Sequence, residues 1–213
     1  MVKITPAILT NDLEEFRSLI KDLSFTDSID IDIVRPPFVE NTTLQIIDIK
    51  DLVDTSKTDL GFHLMVDDPK EDLYNIYNSG IDGHAARIYL HQESNLEYLK
   101  EFEWPANWLK AVSVKLETDL LNLDFYNQFA EVQFMSIKTG WQGSEFNPKV
   151  LDRIKALRDL GYKGNISVDG GINLETIHLI KDAPINRISV GSYFTKAEDK
   201  ARAFKLLEDA LAA

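Results

Sequence analysis

The sequence contains no cysteine. Disulfides, a thiolate zinc site and a cysteine nucleophile are excluded together. Basic residues are also scarce: 23 Lys and Arg stand against 35 Asp and Glu, a formal net charge of −12. No Lys/Arg cluster supplies the basic face that a nucleic-acid partner wants, or the basic amphipathic helix of a membrane-surface protein. Neither kind of partner is expected. An acidic chain can still bind a small anion locally, through backbone N–H groups. No apolar run approaches the roughly 18 residues that cross a bilayer. The opening "MVKITPAILTND" lacks the apolar core and cleavage site of a signal peptide. The expectation is a soluble, cytoplasmic protein. Missing too are a linker, a low-complexity tract and a domain break, so residues 1–213 read as one domain.

What is present is a hydrophobic content of 44%, enough for a sizeable core, and a steady alternation of strand and helix patterns. Strands are expected at 3–8, 28–34, 59–65, 83–88, 110–114, 131–136, 165–169 and 187–191. Between them lie amphipathic stretches such as "NDLEEFRSLIKDL" and "NPKVLDRIKALRDLG", the second ending at Gly161, a helix-terminating residue. Eight such units in one chain point to a single (β/α)8 TIM barrel. The doubly wound open sheet is the alternative, but no GxGxxG follows the first strand.

The second strand, "SIDIDIV", carries a puzzle. Side chains alternate along a strand, so Ile29, Ile31 and Ile33 share one face while Asp30, Asp32 and Val34 share the other. Two carboxylates about 7 Å apart on one face repel each other. From the strand alone two readings stand. In an antiparallel sheet the acidic face is simply wet. In a barrel it points inward, toward the C-terminal mouth where active sites are built, and needs a cation or protons to neutralise it. Other strand ends favour the second. "FHLMVDDP" brings His63 and Met65 to the mouth, "MSIKTGWQG" brings Met135 and Lys138, and "ISVDGGIN" brings Asp169, Gly170 and Gly171.

With these segments in view the sequence resembles the ribulose-phosphate 3-epimerase family, nearly end to end. The family's "HVDVMDGHFVPN" lies without gaps on "DIDIVRPPFVEN" at 30–41, and "VHLMIEDP" on "FHLMVDDP" at 62–69. "MTVNPGFGGQKF" matches "MSIKTGWQGSEF" at 135–146, "VDGGIN" is intact at 168–173, and "AGS" matches "VGS" at 190–192. The resemblance implies a ketose phosphate substrate, epimerised at C3 by two aspartates, Asp32 and Asp169, acting from opposite faces. It implies one divalent metal ion that stabilises the cis-enediolate, held here by Asp30, Asp32, His63 and Asp169. It also implies that Met65 and Met135 cap the reacting end. Backbone N–H groups of Gly140, Gly143, Gly170, Gly171, Gly191 and Ser192 would take the phosphate. Relatives are commonly homo-oligomers.

The departures gather at the mouth. Asp30 stands in place of the family's first metal histidine, Ala7 in place of a serine that positions substrate, and Val34 in place of a methionine. Arg35, Pro36 and Pro37 replace "DGH", Lys138 and Thr139 replace "NP", and Arg87 stands where the fourth strand usually has a histidine. Three carboxylates favour harder ions, so the metal is Mn²⁺, Fe²⁺ or Mg²⁺ ahead of Zn²⁺. Arg35, Arg87 and Lys138 are candidates to offset the extra negative charge, to read a more anionic substrate, or to pair with surface acids. Two other functions fit the same residues. One is a phosphosugar-binding barrel without turnover. The other is a Schiff-base aldolase using Lys138, since "IKTGW" resembles that family's lysine strand, although Ser167 occupies the place of its second lysine.

Overall fold

The computed structural model describes residues 2–52, 58–80 and 86–213. Eight parallel strands close into a barrel in sequence order: β1 (Lys3–Ile8), β2 (Ser28–Val34), β3 (Asp59–Met65), β4 (Arg87–His91), β5 (Leu109–Val114), β6 (Glu131–Met135), β7 (Asn165–Asp169) and β8 (Arg187–Val190). The expected (β/α)8 barrel is therefore the observed fold. Helices α1 (Leu13–Asp22), α2 (Ile46–Ile49), α3 (Lys70–Asn78), α4 (Leu123–Tyr126), α5 (Lys149–Asp159), α6 (Ile177–Ile180), α7 (Ser192–Thr195) and α8 (Lys200–Ala212) lie between and after the strands. None of the described helices is long and apolar enough to cross a membrane.

The patterning that selects this fold is visible strand by strand. Ile29, Ile31 and Ile33 join the apolar layer between barrel and helices, while every residue of β2 is buried. The helices turn one stripe to that layer: Phe16 and Leu19 from α1, Val150, Ile154 and Leu157 from α5. Asp12 caps α1, accepting from the N–H groups of Glu14 and Glu15 at 2.8 and 2.9 Å.

Two expectations shift. The fourth strand runs over Arg87–His91 rather than 83–88, of which 83–85 lie outside the described residues. The alternation in "RIYLH" puts Ile88 and Leu90 outward and Arg87, Tyr89 and His91 inward, so the strand's polar face is its barrel face. The crossing from β4 to β5 shows only a 3-10 helix, Glu97–Lys100. An aromatic cluster covers the sheet there: Phe102 packs on Trp104, Trp108, Tyr74 and Tyr77, with ring centroids 5.1–6.4 Å apart.

Inside the barrel, the N-terminal layer is polar and internally paired. Asp30 Oδ1 meets Arg87 Nη2 at 3.0 Å, and Asp30 Oδ2 accepts from Ser189 Oγ at 2.6 Å. Arg87 Nη2 also donates to Ser28 Oγ. Gln133 links Ser113 to Ser189. Glu131 accepts from Tyr89 and faces Arg187 at 3.5 Å. Two carboxylates and two guanidinium groups thus neutralise one another out of water, as buried charges require. Gly61 makes the space for this, because a Cβ there would sit 1.9 Å from Asp30 Oδ1.

Candidate active site

One layer nearer the C-terminal mouth, β2, β3 and β7 bring Asp32, His63 and Asp169 together. Asp32 follows Asp30 by two residues on the same face, Asp32 pairs in register with His63, and Asp169 ends β7. His63 Nδ1 lies 3.3 Å from Asp32 Oδ1 and 3.2 Å from Asp169 Oδ2. All three residues are buried, and their ligand atoms lie within 4.8 Å of one another.

Asp30 is not part of this group. Both its oxygens are spent on Arg87 and Ser189 in the layer below, which corrects the four-ligand expectation. The two departures from the family pattern, Asp30 and Arg87, are partners. The puzzle of "SIDIDIV" resolves the same way: each aspartate faces its own positive group, Arg87 for Asp30 and His63 for Asp32.

His63 is oriented from behind. Its Nε2 lies 2.9 Å from Nε2 of His91, whose Nδ1 lies 3.1 Å from Glu93 Oε2. Glu93 in turn accepts from the Lys115 N–H and the Thr118 hydroxyl. The rings of His63 and His91 stack, 5.0 Å apart and inclined by 16°. Burial holds the His91 imidazole down at about 4, so it is neutral, and its hydrogen bond to Glu93 leaves Nε2 as the acceptor. His63 therefore donates from Nε2 and turns Nδ1 to the two carboxylates. His91 was invisible in the sequence analysis because the strand was placed four residues too early. The fourth strand does present an inward histidine, at its last residue.

The electrostatics of the group fit a cation. Asp32 Oδ1 and His63 Nδ1 are buried and make no hydrogen bond with good alignment, and with Asp169 they place three ligand atoms within 4.8 Å of one another. The same two carboxylates favour a proton on His63 Nδ1. Burial alone lowers the His63 pKa, but Asp169 and then Asp32 outweigh it and raise it from 6.5 to about 10. Burial lifts Asp32 to about 6 against the opposing pull of His63, with Asp169 adding to the rise. Because the folded-state value for His63 lies above its unfolded one, the stabilisation is complete below pH 6.5 and is lost as pH rises through about 10. A divalent ion must displace this proton. Titration calorimetry in buffers of different ionisation enthalpy is expected to show about one proton released per ion at pH 7–8, with affinity rising by up to about tenfold per pH unit. Binding without proton release contradicts this account of His63.

The group opens into a cavity at the mouth lined by Asp32, Met65, Met135, Gly140, Gly143, Asp169, Gly170, Gly171, Gly191 and Ser192. Every substrate-binding residue expected from the sequence lies on this one wall. The cavity includes Ala7, at the position of the family's substrate-positioning serine, and adds Leu9, Ile137, Trp141, Gln142 and Ile172, which sequence reasoning did not single out as contacts. Loop closeness is tight: a Cβ on Gly171, whose φ is +65°, would stand 2.6 Å from the backbone N of Phe146.

The remaining departures point elsewhere. Arg35 makes a two-pronged pair with Asp72 of α3, at 2.9 and 2.7 Å, and donates to Gln45. It ties a loop to a helix and is absent from the cavity lining. Lys138 is exposed and lines a second cavity with Lys115, Phe38 and Trp141, outside the Asp32 group. A Schiff-base lysine needs a desolvated site or a neighbouring cation that depresses its pKa, and the exposure of Lys138 speaks against that role.

The model of the ribulose-phosphate 3 epimerase family matches residues 3–195. Among curated relatives, ribulose-phosphate 3-epimerase of Mycobacterium bovis is 27% identical over 211 residues, covering 96% of this chain and 90% of that protein. The Bacillus subtilis ribulose-phosphate 3-epimerase is 27% identical over 213 residues, covering 95% and 96%. Solved structures share the fold: 3-hexulose-6-phosphate synthase from Salmonella typhimurium superposes with a TM-score of 0.71 at 16% identity, covering 99% of both chains. 3-Keto-L-gulonate-6-phosphate decarboxylase from Vibrio cholerae gives 0.67 at 15% identity, covering 99% and 97%. With a family match across most of its length and paired carboxylates on the cavity wall, the chain belongs to the ribulose-phosphate 3-epimerase family, as a divergent, epimerase-like enzyme.

Proposed function

We propose that the protein inverts C3 of a ketose phosphate, interconverting ribulose 5-phosphate and xylulose 5-phosphate, with Asp32 and Asp169 as the paired acid and base. One observation carries this reading: two carboxylates from strands separated by β1 and β8 reach the same imidazole nitrogen at the floor of one cavity. A base on one wall removes the C3 proton, and an acid on the other wall returns a proton to the opposite face of the planar enediolate. Inversion needs that two-sided placement. Asp32, with its pKa lifted to about 6, titrates close to working pH, where a group can both take and give a proton.

Asp32, His63 and Asp169 are the residues that would hold a divalent ion, which when bound supplies charge stabilisation for an oxyanion developing next to C3. His91 and Glu93 keep the His63 ring in place. Met65 and Met135 cover the reacting end and exclude water. The backbone of Gly143, Gly170, Gly171, Gly191 and Ser192 takes the phosphate. A cytoplasmic setting is supported by a rice relative named as a cytoplasmic isoform, 26% identical over 196 residues, and a homo-oligomer remains the expectation from the family resemblance alone.

The test is conversion of ribulose 5-phosphate to xylulose 5-phosphate by the purified protein, with chelator and with each of Mn²⁺, Fe²⁺, Mg²⁺ and Zn²⁺ added back. Conversion that chelator suppresses and an ion restores supports the reading. Tight binding of the sugar phosphate without conversion under any ion favours the non-catalytic barrel.

A further inference from the structure

The cavity wall offers few neutral side chains that both donate and accept, and the family alignment leaves one of them unexplained. Gln142 stands opposite a glycine of the family's "GFGG" run. Its amide is laid into the cavity rather than out to water. A Cβ on Gly191 would meet Gln142 Nε2 at 2.5 Å and Cδ at 2.8 Å, so the side chain lies flat on the last phosphate loop. From there it reaches β1, where Nε2 donates to the Ala7 carbonyl at 3.4 Å. That long contact is the amide's single hydrogen bond among the described residues, leaving Oε1 and one N–H unspent. The neighbour in sequence, Trp141, is 42% exposed, whereas Gln142 is half-buried.

Resting on the epimerase reading above, we propose that Gln142 is a specificity-determining residue that hydrogen-bonds a substrate hydroxyl lying between the phosphate and the reacting carbon. The position follows from its two neighbours. Gly191 belongs to the loops that would take the phosphate, and Ala7 is the penultimate residue of β1, the strand beside β2, which carries Asp32. Gly191, Gln142 and Asp32 line the same cavity, so a ligand running from Gly191 to Asp32 shares it with the amide. Ala7 offers a methyl group at that point, so the amide is the polar group available to read a hydroxyl there. An unspent amide in a cavity is poised to exchange one weak contact for two good ones, and a hydroxyl can both give and accept.

The experiment is a binding cycle read by calorimetry with two probes, ribulose 5-phosphate and its 4-deoxy counterpart, against the unchanged protein and Gln142→Ala. Gln142→Ala is expected to weaken ribulose 5-phosphate by about tenfold, the scale of one neutral hydrogen bond, and to leave the 4-deoxy compound unchanged. Equal weakening of both probes means that Gln142 only packs the loop, and overturns the proposal. So does an unaltered affinity for ribulose 5-phosphate, or failure of the unchanged protein to bind it. Turnover of ribulose 5-phosphate by the same preparation is scored separately. If the binding cycle comes out as expected while turnover is absent, the epimerase reading fails and the role of Gln142 in recognition stands.

Discussion

Asp169→Asn is expected to lower turnover of ribulose 5-phosphate by at least about 100-fold, the lower range for loss of a general acid–base group. The substitution keeps the shape of the side chain and its place at the end of β7, but the amide cannot shuttle a proton. His63 Nδ1, 3.2 Å from Asp169 Oδ2, loses one of the two carboxylates that raise its pKa. The His63 pKa should therefore fall from about 10, a shift that imidazole NMR can follow independently of activity. Some loss of thermal stability is expected as well, because a buried ion partner of His63 is removed while Asp32 remains, so turnover is to be measured well below the unfolding transition. Normal turnover by Asp169→Asn removes Asp169 from the chemistry.

The second large effect concerns Asp30, and the structure reverses what the alignment suggests. Read against the family, Asp30→His restores a metal ligand and should tighten the site. In the folded chain it leaves the Arg87 guanidinium, 4% exposed, without its carboxylate and Ser189 without its acceptor. Breaking a buried ion pair by removing one partner costs about 3–5 kcal/mol, so both Asp30→His and Asp30→Asn are expected to lose about that much in urea unfolding. Metal affinity should not rise, since position 30 sits a layer below the Asp32, His63 and Asp169 group. An Asp30→His protein of unchanged stability that binds ions more tightly contradicts this reading of the barrel interior.

These outcomes mark where the sequence was informative. Period-two alternation gave seven of the eight strands to within a residue or two, because their outward faces are apolar with few exceptions, such as Lys110 in β5. It misplaced β4, whose barrel face holds Arg87, Tyr89 and His91, and with it missed the histidine that orients His63. Motif order pointed to one end of the barrel, and the closed barrel does bring Asp32, Asp169 and the glycine loops to one cavity there, with His63 against the two carboxylates. Asp30 was misassigned for a physical reason. Strand alternation tells which face a residue shares but not which layer of the barrel its partner occupies. That partner, Arg87, lies 57 residues away and two strands across. Arg35 and Lys138 show the same limit: a charge near a motif in sequence can point to a helix or to water once the loop has folded.

The central claim is that Asp32 and Asp169 move a proton at C3, and solvent isotope incorporation tests it most directly. Ribulose 5-phosphate incubated with the metal-loaded protein in deuterated water is expected to give xylulose 5-phosphate with solvent deuterium at C3, at a rate that Asp169→Asn suppresses. Bound substrate that keeps its C3 hydrogen over many catalytic times of an ordinary epimerase would contradict the account.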